Sequence, residues 1–171
     1  MAGRYDLPAG IRLRLATNDD CEGIISLVDG VLIEYGDRIC LDPGGSEADL
    51  KDVETGYRQQ GGEFWVLETD GKIIGCHATR PDKQDSQVCT FKRLYLDNGF
   101  RGTNCGHVLM QVTIEWAKNT NFDRVEFWSD TRFERAHRFF EKFGFQKNGK
   151  TRHMTDSAVP YSEYFFYLDI M

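Results

Sequence analysis

The sequence lacks the features that would place it in several large functional classes. No apolar run approaches the roughly 20 residues needed to span a bilayer. Arg4, Asp6, Arg12 and Arg14 interrupt every apolar stretch that could serve as a signal-peptide core. A soluble, cytoplasmic protein without a membrane partner is therefore expected. Positive charge is short: 21 Lys and Arg against 27 Asp and Glu leave a formal net charge of −6. Binding a polyanion needs concentrated Lys and Arg. Only Lys147-Asn148-Gly149-Lys150-Thr151-Arg152 approaches such a patch, and it reads as a solvated turn, so no nucleic-acid partner is expected. Metal-type cysteine spacings are missing too. Cys21, Cys40, Cys76, Cys89 and Cys105 are odd in number and widely spaced, with no C-x-x-C pair. They read as reduced thiols, several buried as small hydrophobes, and no metal is expected.

What is present fits one globular domain. The 171 residues are 40% hydrophobic and 28% charged, with no repeat, low-complexity tract or interior linker. Residues 1–10 read as a flexible leader and 11–171 as a single domain. Ile11, Leu13 and Leu15 alternate with polar neighbours as a half-buried strand. Thr17 with Asp20 resembles a helix start, followed by Ile24, Val28, Val31 and Tyr35 at helical spacing. Gly36 stops that helix, and 46–59 reads as a second, polar helix after the 42–46 loop. Phe64–Thr69 and Lys72–Thr79 flank Asp70-Gly71, a favoured hairpin turn. A strand over 87–96 precedes a helix over 105–118, a strand over 124–128 and a phenylalanine-rich helix ending at Gly144. Thr131 and Glu134 would form a capping box for that last helix. Strands at 145–147 and 161–169 close the chain around a flexible-looking 148–160. The order is mixed α/β.

The richest stretch is Leu94-Tyr95-Leu96 followed by Arg101-Gly102-Thr103-Asn104-Cys105-Gly106, a strand and a glycine loop that opens into a helix. Backbone N–H groups unpaired within the helix converge at such a point, and the helix dipole adds partial positive charge, which favours phosphate. Glycine allows close approach of a ligand. Neither the Walker spacing nor a G-x-G-x-x-G fingerprint is present. Taken alone, the glycines could equally shape a tight turn.

Together with a later segment, the loop resembles a known family. Arg101–Gly106 is similar to the pyrophosphate motif [QR]-x-x-G-x-[GA] of the GNAT acetyltransferases. Ala136-His137-Arg138-Phe139-Phe140-Glu141-Lys142-Phe143-Gly144-Phe145 is similar to the family's A-x-x-F-Y-E-K-x-G-F. The resemblance implies a twisted, mixed, mostly antiparallel sheet with helices on both faces, and acetyl-CoA bound in a cleft between central strands. It implies that Leu94, Tyr95 and Leu96 pair with the pantetheine arm. Main-chain amides of Arg101, Gly102, Thr103, Asn104, Cys105 and Gly106 would hold the pyrophosphate. Lys142 would meet a coenzyme phosphate or cap a helix end. Two positions depart from the pattern. Asn104 replaces the motif's first internal glycine; Asn tolerates left-handed geometry, so the turn can survive. Phe140 replaces a tyrosine often proposed as the thiolate's proton donor, and Phe133 a frequent asparagine; both remain among the implied coenzyme contacts. The missing acid is tolerable, because a thiol of pKa near 8.5 leaves as a fairly stable anion.

The implied activity is acetyl transfer to a primary amine, of a small molecule, by direct attack in a ternary complex. The alternatives are a non-catalytic acyl-CoA-binding sensor and an acetyltransferase acting on protein lysines or N-termini. An ammonium acceptor must lose a proton. Asp130, beside the 124–128 strand, is a candidate base, though capping of the next helix is the simpler reading. His77 reads as structural, His107 as exposed filler and His137 as polar-face. Glu34, Tyr35, Asp37 and Arg38 would border the acceptor site, and His153 belongs to a stretch that could do so. Cys105 and Cys89 lack a neighbouring base, which disfavours a covalent cysteine route. The sequence leaves room for a homodimer.

Overall fold

The computed structural model describes residues 4–171. Seven strands form one sheet in the order β1-β2-β3-β4-β5-β7-β6. The strands are β1 (Arg12–Leu15), β2 (Glu63–Thr69), β3 (Lys72–Pro81), β4 (Val88–Leu96), β5 (Arg124–Asp130), β6 (Gln146–Met154) and β7 (Tyr161–Asp169). The helices are α1 (Cys21–Ile33), the single turn α2 (Val53–Gly56), α3 (Cys105–Asn119) and α4 (Glu134–Lys142). Every neighbouring pair is antiparallel except β4 and β5, which run parallel. The twisted mixed sheet with helices on both faces is the expected fold. Among the described residues no helix is long and apolar enough to cross a membrane.

Alternation along the strands builds two layers of core. On one face Val66, Cys76 and Ala78 pack under Ile24, Val28 and Leu32 of α1. On the other, Leu67 and Ile74 meet Val108, Leu109 and Val112 of α3. Phe91, Phe127 and Phe166 fill the space under α3 and α4 with Met110 and Phe140. Asp70 and Gly71 both take positive φ (49° and 74°), as a two-residue hairpin turn requires. Gly144 ends α4 at φ 95°.

Three expectations are corrected. The 46–59 helix is replaced by separate turns at Ala48–Lys51, Val53–Gly56 and Arg58–Gln60. Asp52 breaks it: its side chain accepts from the Thr55 amide at 2.9 Å, starting a new turn from a non-helical backbone (φ −152°, ψ 85°). The 148–160 stretch is largely strand, since β6 pairs with β7 from Gln146 to Met154 across a bulge at 147–151. Both faces of β6 are exposed and polar up to His153, so no alternation betrays it; edge strands are commonly blunted in this way. Thr131 does not cap α4; Phe133 occupies the N-cap position. Of the leader expected over 1–10, residues 1–3 lie outside the described residues. The part that is described lies against α3: the Tyr5 hydroxyl donates to Glu115 at 2.8 Å, and the Asp6 carbonyl accepts from Asn104 Nδ2 at 2.6 Å.

Candidate active site

The site begins where the sheet parts. β4 and β5 pair only through Val88–Arg124, Cys89–Val125 and Thr90–Glu126, so Phe91–Leu96 and Phe127–Asp130 diverge. The β5-side edge of Leu94, Tyr95 and Leu96 is thereby free of a neighbouring strand, while Tyr95 and Leu96 pair on the other side with Cys76 and Gly75 of β3. A β-bulge in β4 puts Arg93 at φ 61°, an uncommon state for a non-glycine residue. An ion pair of Arg93 Nη2 with Asp49 at 2.5 Å and a donation to the Ser46 carbonyl anchor it.

At the end of β4 the glycine loop runs into α3. The Cys105 amide donates to Thr103 Oγ1 at 3.3 Å and Val108 N to the Asn104 carbonyl at 3.0 Å. The amides of Gly102, Thr103, Asn104, Gly106 and His107 find no acceptor among the described residues. A cluster of free N–H groups at a helix start is an anion cradle by construction. The left-handed residue of the loop is Gly102 (φ 78°), whereas Asn104 sits at φ −79°. Asn104 thus survives in the motif because the backbone asks nothing unusual of it, rather than through tolerance of left-handed geometry. The Arg101 guanidinium lies away from this cluster, paired with Glu34 at 2.7 Å.

On the α1 face of the parting strands lies a cavity of about 410 Å³, whose lining includes Lys92, Trp128, Asp130, Arg152, Tyr161 and Glu163. Its roof joins two segments distant in sequence: the Ser46 amide donates to the Asp156 carbonyl at 3.0 Å, and Ser157 Oγ donates to Asp37 at 3.2 Å. Asp130 does not act as a helix cap. Its carboxylate accepts from the Arg132 amide at 2.9 Å and from the guanidinium at 2.6–3.1 Å, and Arg132 reaches on to Asp37 at 3.2 Å. The structural effect of this pairing is to tie β5 to the segment after α1.

Phe140 is 6% exposed, with its ring 4.8 Å from that of Phe127 and 5.4 Å from that of Phe166, at the floor of the parting strands. Phe133 packs against Tyr35, with ring centroids 4.7 Å apart and the planes tilted by 57°. Lys142 is exposed in the last turn of α4. His77 is buried, with Nδ1 2.9 Å from Thr113 Oγ1, and burial pushes its pKa down to about 4. His137, expected on a polar face, is 6% exposed with Nε2 3.1 Å from Ser129 Oγ. Its helix is strongly two-sided, and the face holding His137 and Phe140 is the buried one. Asp37 lines the cavity, whereas Glu34 and Arg38 are engaged elsewhere, with Arg101 and Asp29.

Sequence reasoning missed Lys92 and Glu163. Burial, reinforced by Arg93 and Arg80, pushes the Lys92 ammonium down to about 8. Burial raises the Glu163 carboxyl above its ordinary range despite the opposing pull of Arg152. Both belong to strands read as sheet core, and only the divergence of β4 from β5 turns their side chains into cavity lining. Among the described residues no His/Cys/Asp/Glu cluster suits a metal ion.

The model of the acetyltransferase (GNAT) family matches residues 34–145. The N-acetylaspartate synthetase of Xenopus tropicalis is 28% identical over 106 residues, covering 61% of this chain and 39% of that protein. The chain thus spans about two fifths of the length of that curated relative. A GNAT-family acetyltransferase from Staphylococcus aureus Mu50 superposes with a TM-score of 0.80 at 21% identity, covering 94% of this chain and 99% of its own. The protein yncA from Salmonella typhimurium, solved with its cofactor acetyl-CoA, gives 0.73 at 14% identity, covering 95% of each chain.

Proposed function

Since the chain belongs to the acetyltransferase (GNAT) family, we propose that it transfers the acetyl group of acetyl-CoA to the primary amine of a small molecule by direct attack in a ternary complex. The supporting observation is the alignment of two features: free amides at the start of α3, and a sheet that opens beside them after Thr90 and Glu126. The amides of the 102–107 loop hold the diphosphate, and the free edge of Leu94–Leu96 receives the pantetheine. The thioester then lies in the opening, with the acceptor approaching from the cavity on the other face. A small acceptor is favoured by the roof that Ser46–Asp156 and Asp37–Ser157 contacts build over that cavity. Glu163, whose carboxyl is held above its ordinary range by burial, serves as the proton acceptor, while Asp130 is engaged by Arg132. Direct attack suits the absence of an activated thiol: Cys105 is fully buried, and burial pushes Cys89 up to about 12.

One observation favours a second reading. Phe140, in the place of the proton-donating tyrosine, is sealed among aromatic rings, which suits a module that binds acyl-CoA without turning it over. Incubation with acetyl-CoA and a metabolite extract, followed by mass spectrometry, separates the two. Acetylated amines that depend on active protein are expected. Tight acetyl-CoA binding with no acetylated product across a broad amine panel would establish the binding module instead.

A further inference from the structure

The charges lining the acceptor cavity are unevenly matched. Arg93 is paired with Asp49 at 2.5 Å, Arg132 with Asp130 at 2.6 Å, and Arg152 with Glu163 at 2.6 Å. Lys92 also lines the cavity, yet it makes no ion pair and no hydrogen bond with any described residue. It stands on β4 two residues past the last pair with β5, where the strands have begun to part. The carboxylates of Asp82 and Asp156, which also line the cavity, have no cation within ion-pair distance among the described residues; the Asp156 carboxylate accepts from the Tyr161 hydroxyl at 3.0 Å. One ammonium without a counter-ion and two carboxylates without a cation thus border the same cavity.

We propose that Lys92 receives a carboxylate of the acceptor, so that the amine acetylated belongs to an amino acid rather than to a simple amine or a polyamine. The assignment rests on the acetyltransferase reading above and adds the substrate class to it. A zwitterion matches both groups: its carboxylate pairs with Lys92, and its ammonium is drawn toward the acidic side before losing a proton. A polycation would set a further positive charge beside Lys92, whereas a carboxylate there supplies the counter-ion that Lys92 lacks. A single ammonium matches one carboxylate better than a phosphate, which takes several donors. Burial beside Arg93 and Arg80 disfavours the Lys92 ammonium, while Asp49 and Glu163 favour it, and the result lies at about 8. A cation held in that state gains strongly from a counter-ion supplied by the substrate.

The test compares amino acids with their own decarboxylation products, such as ornithine with putrescine, lysine with cadaverine and phenylalanine with phenethylamine. The readout is kcat/KM for release of CoA from acetyl-CoA. Wild type should prefer the amino acid by about tenfold or more in the pair it uses best, since a charge-assisted contact in a desolvated site carries that much. Lys92→Met should reduce that ratio toward one, mainly through KM, and Lys92→Arg should retain most of it. Acetyl-CoA affinity by calorimetry verifies that each variant is folded. A wild-type preference for the decarboxylated partner in every pair would overturn the assignment while leaving acetyl transfer intact. So would a ratio in Lys92→Met equal to that of wild type. Acetyl-CoA binding without turnover of either class would overturn the assignment together with the acetyltransferase reading.

Discussion

Gly106 offers a way to separate coenzyme binding from folding. It is the second residue of α3, and its amide has no partner among the described residues. A Cβ built there would lie 3.7 Å from Phe139 Cζ and 3.9 Å from Leu96 Cδ2, which is ordinary van der Waals contact. Gly106→Ala should therefore fold normally and gain up to about 1 kcal/mol from helix propensity, less so near the first turn. Gly106→Trp shares the accommodated Cβ, but its indole must project past these neighbours into the space before the loop amides. A hydrogen bond to a charged group is worth about 1.5–3 kcal/mol, so displacing two diphosphate contacts costs about 3–6 kcal/mol. That corresponds to a rise in Kd of roughly 10²- to 10⁴-fold. Calorimetric titration with acetyl-CoA should show this loss in the Trp variant and a far smaller change in the Ala variant. Circular dichroism and urea melts should show both as native. A natively folded Gly106→Trp that binds acetyl-CoA as wild type does would refute the cradle.

Two stability predictions follow from buried charge. His77 has a folded pKa of about 4 against 6.5 for the unfolded chain, so the unfolded state binds more protons between those values and stability falls as pH drops through that window. Between pH 7 and pH 5 the loss worked from these values is about 2 kcal/mol, and His137, also lowered by burial, adds in the same direction. Urea denaturation at the two pH values measures it, and a His77→Gln variant with an undiminished pH slope would contradict the assignment. Arg132→Met would strand Asp37 (3% exposed) and Asp130 (7% exposed) without their shared cation. Breaking a buried pair costs about 3–5 kcal/mol; the part-exposure of Arg132 brings the expected loss to about 2–3 kcal/mol. A loss below about 0.5 kcal/mol in urea melts would show that the bridge holds nothing together.

Local chemistry was legible where a residue's conformation depends on its neighbours in the chain. Asp70-Gly71 must turn, Gly144 must end a helix, and a glycine loop opening into α3 must present free amides. The periodicities of α1 and α3 likewise show through, because each buries one face and exposes the other. Such signals, with two motifs, sufficed for the fold and for the free amides at the start of α3. They failed for β6, polar on both sides until His153, and for 46–59, where Asp52 outcompetes the helix. The cavity beside the parting strands is a different matter. Lys92, Trp128 and Glu163 read as sheet residues, and nothing local to them says that β4 and β5 separate after three residue pairs. That separation is a relation between strands whose paired residues lie more than 30 positions apart, and the bulge at Arg93 beside it is anchored by the distant Asp49. Likewise Asp130 became a bridge to Asp37 only once Arg132 could span two segments that the fold alone brings together. The sequence determined where free amides gather at a helix start; the tertiary structure decided which side chains line the cavity beside them, because charge compensation depends on distances that the chain order does not contain.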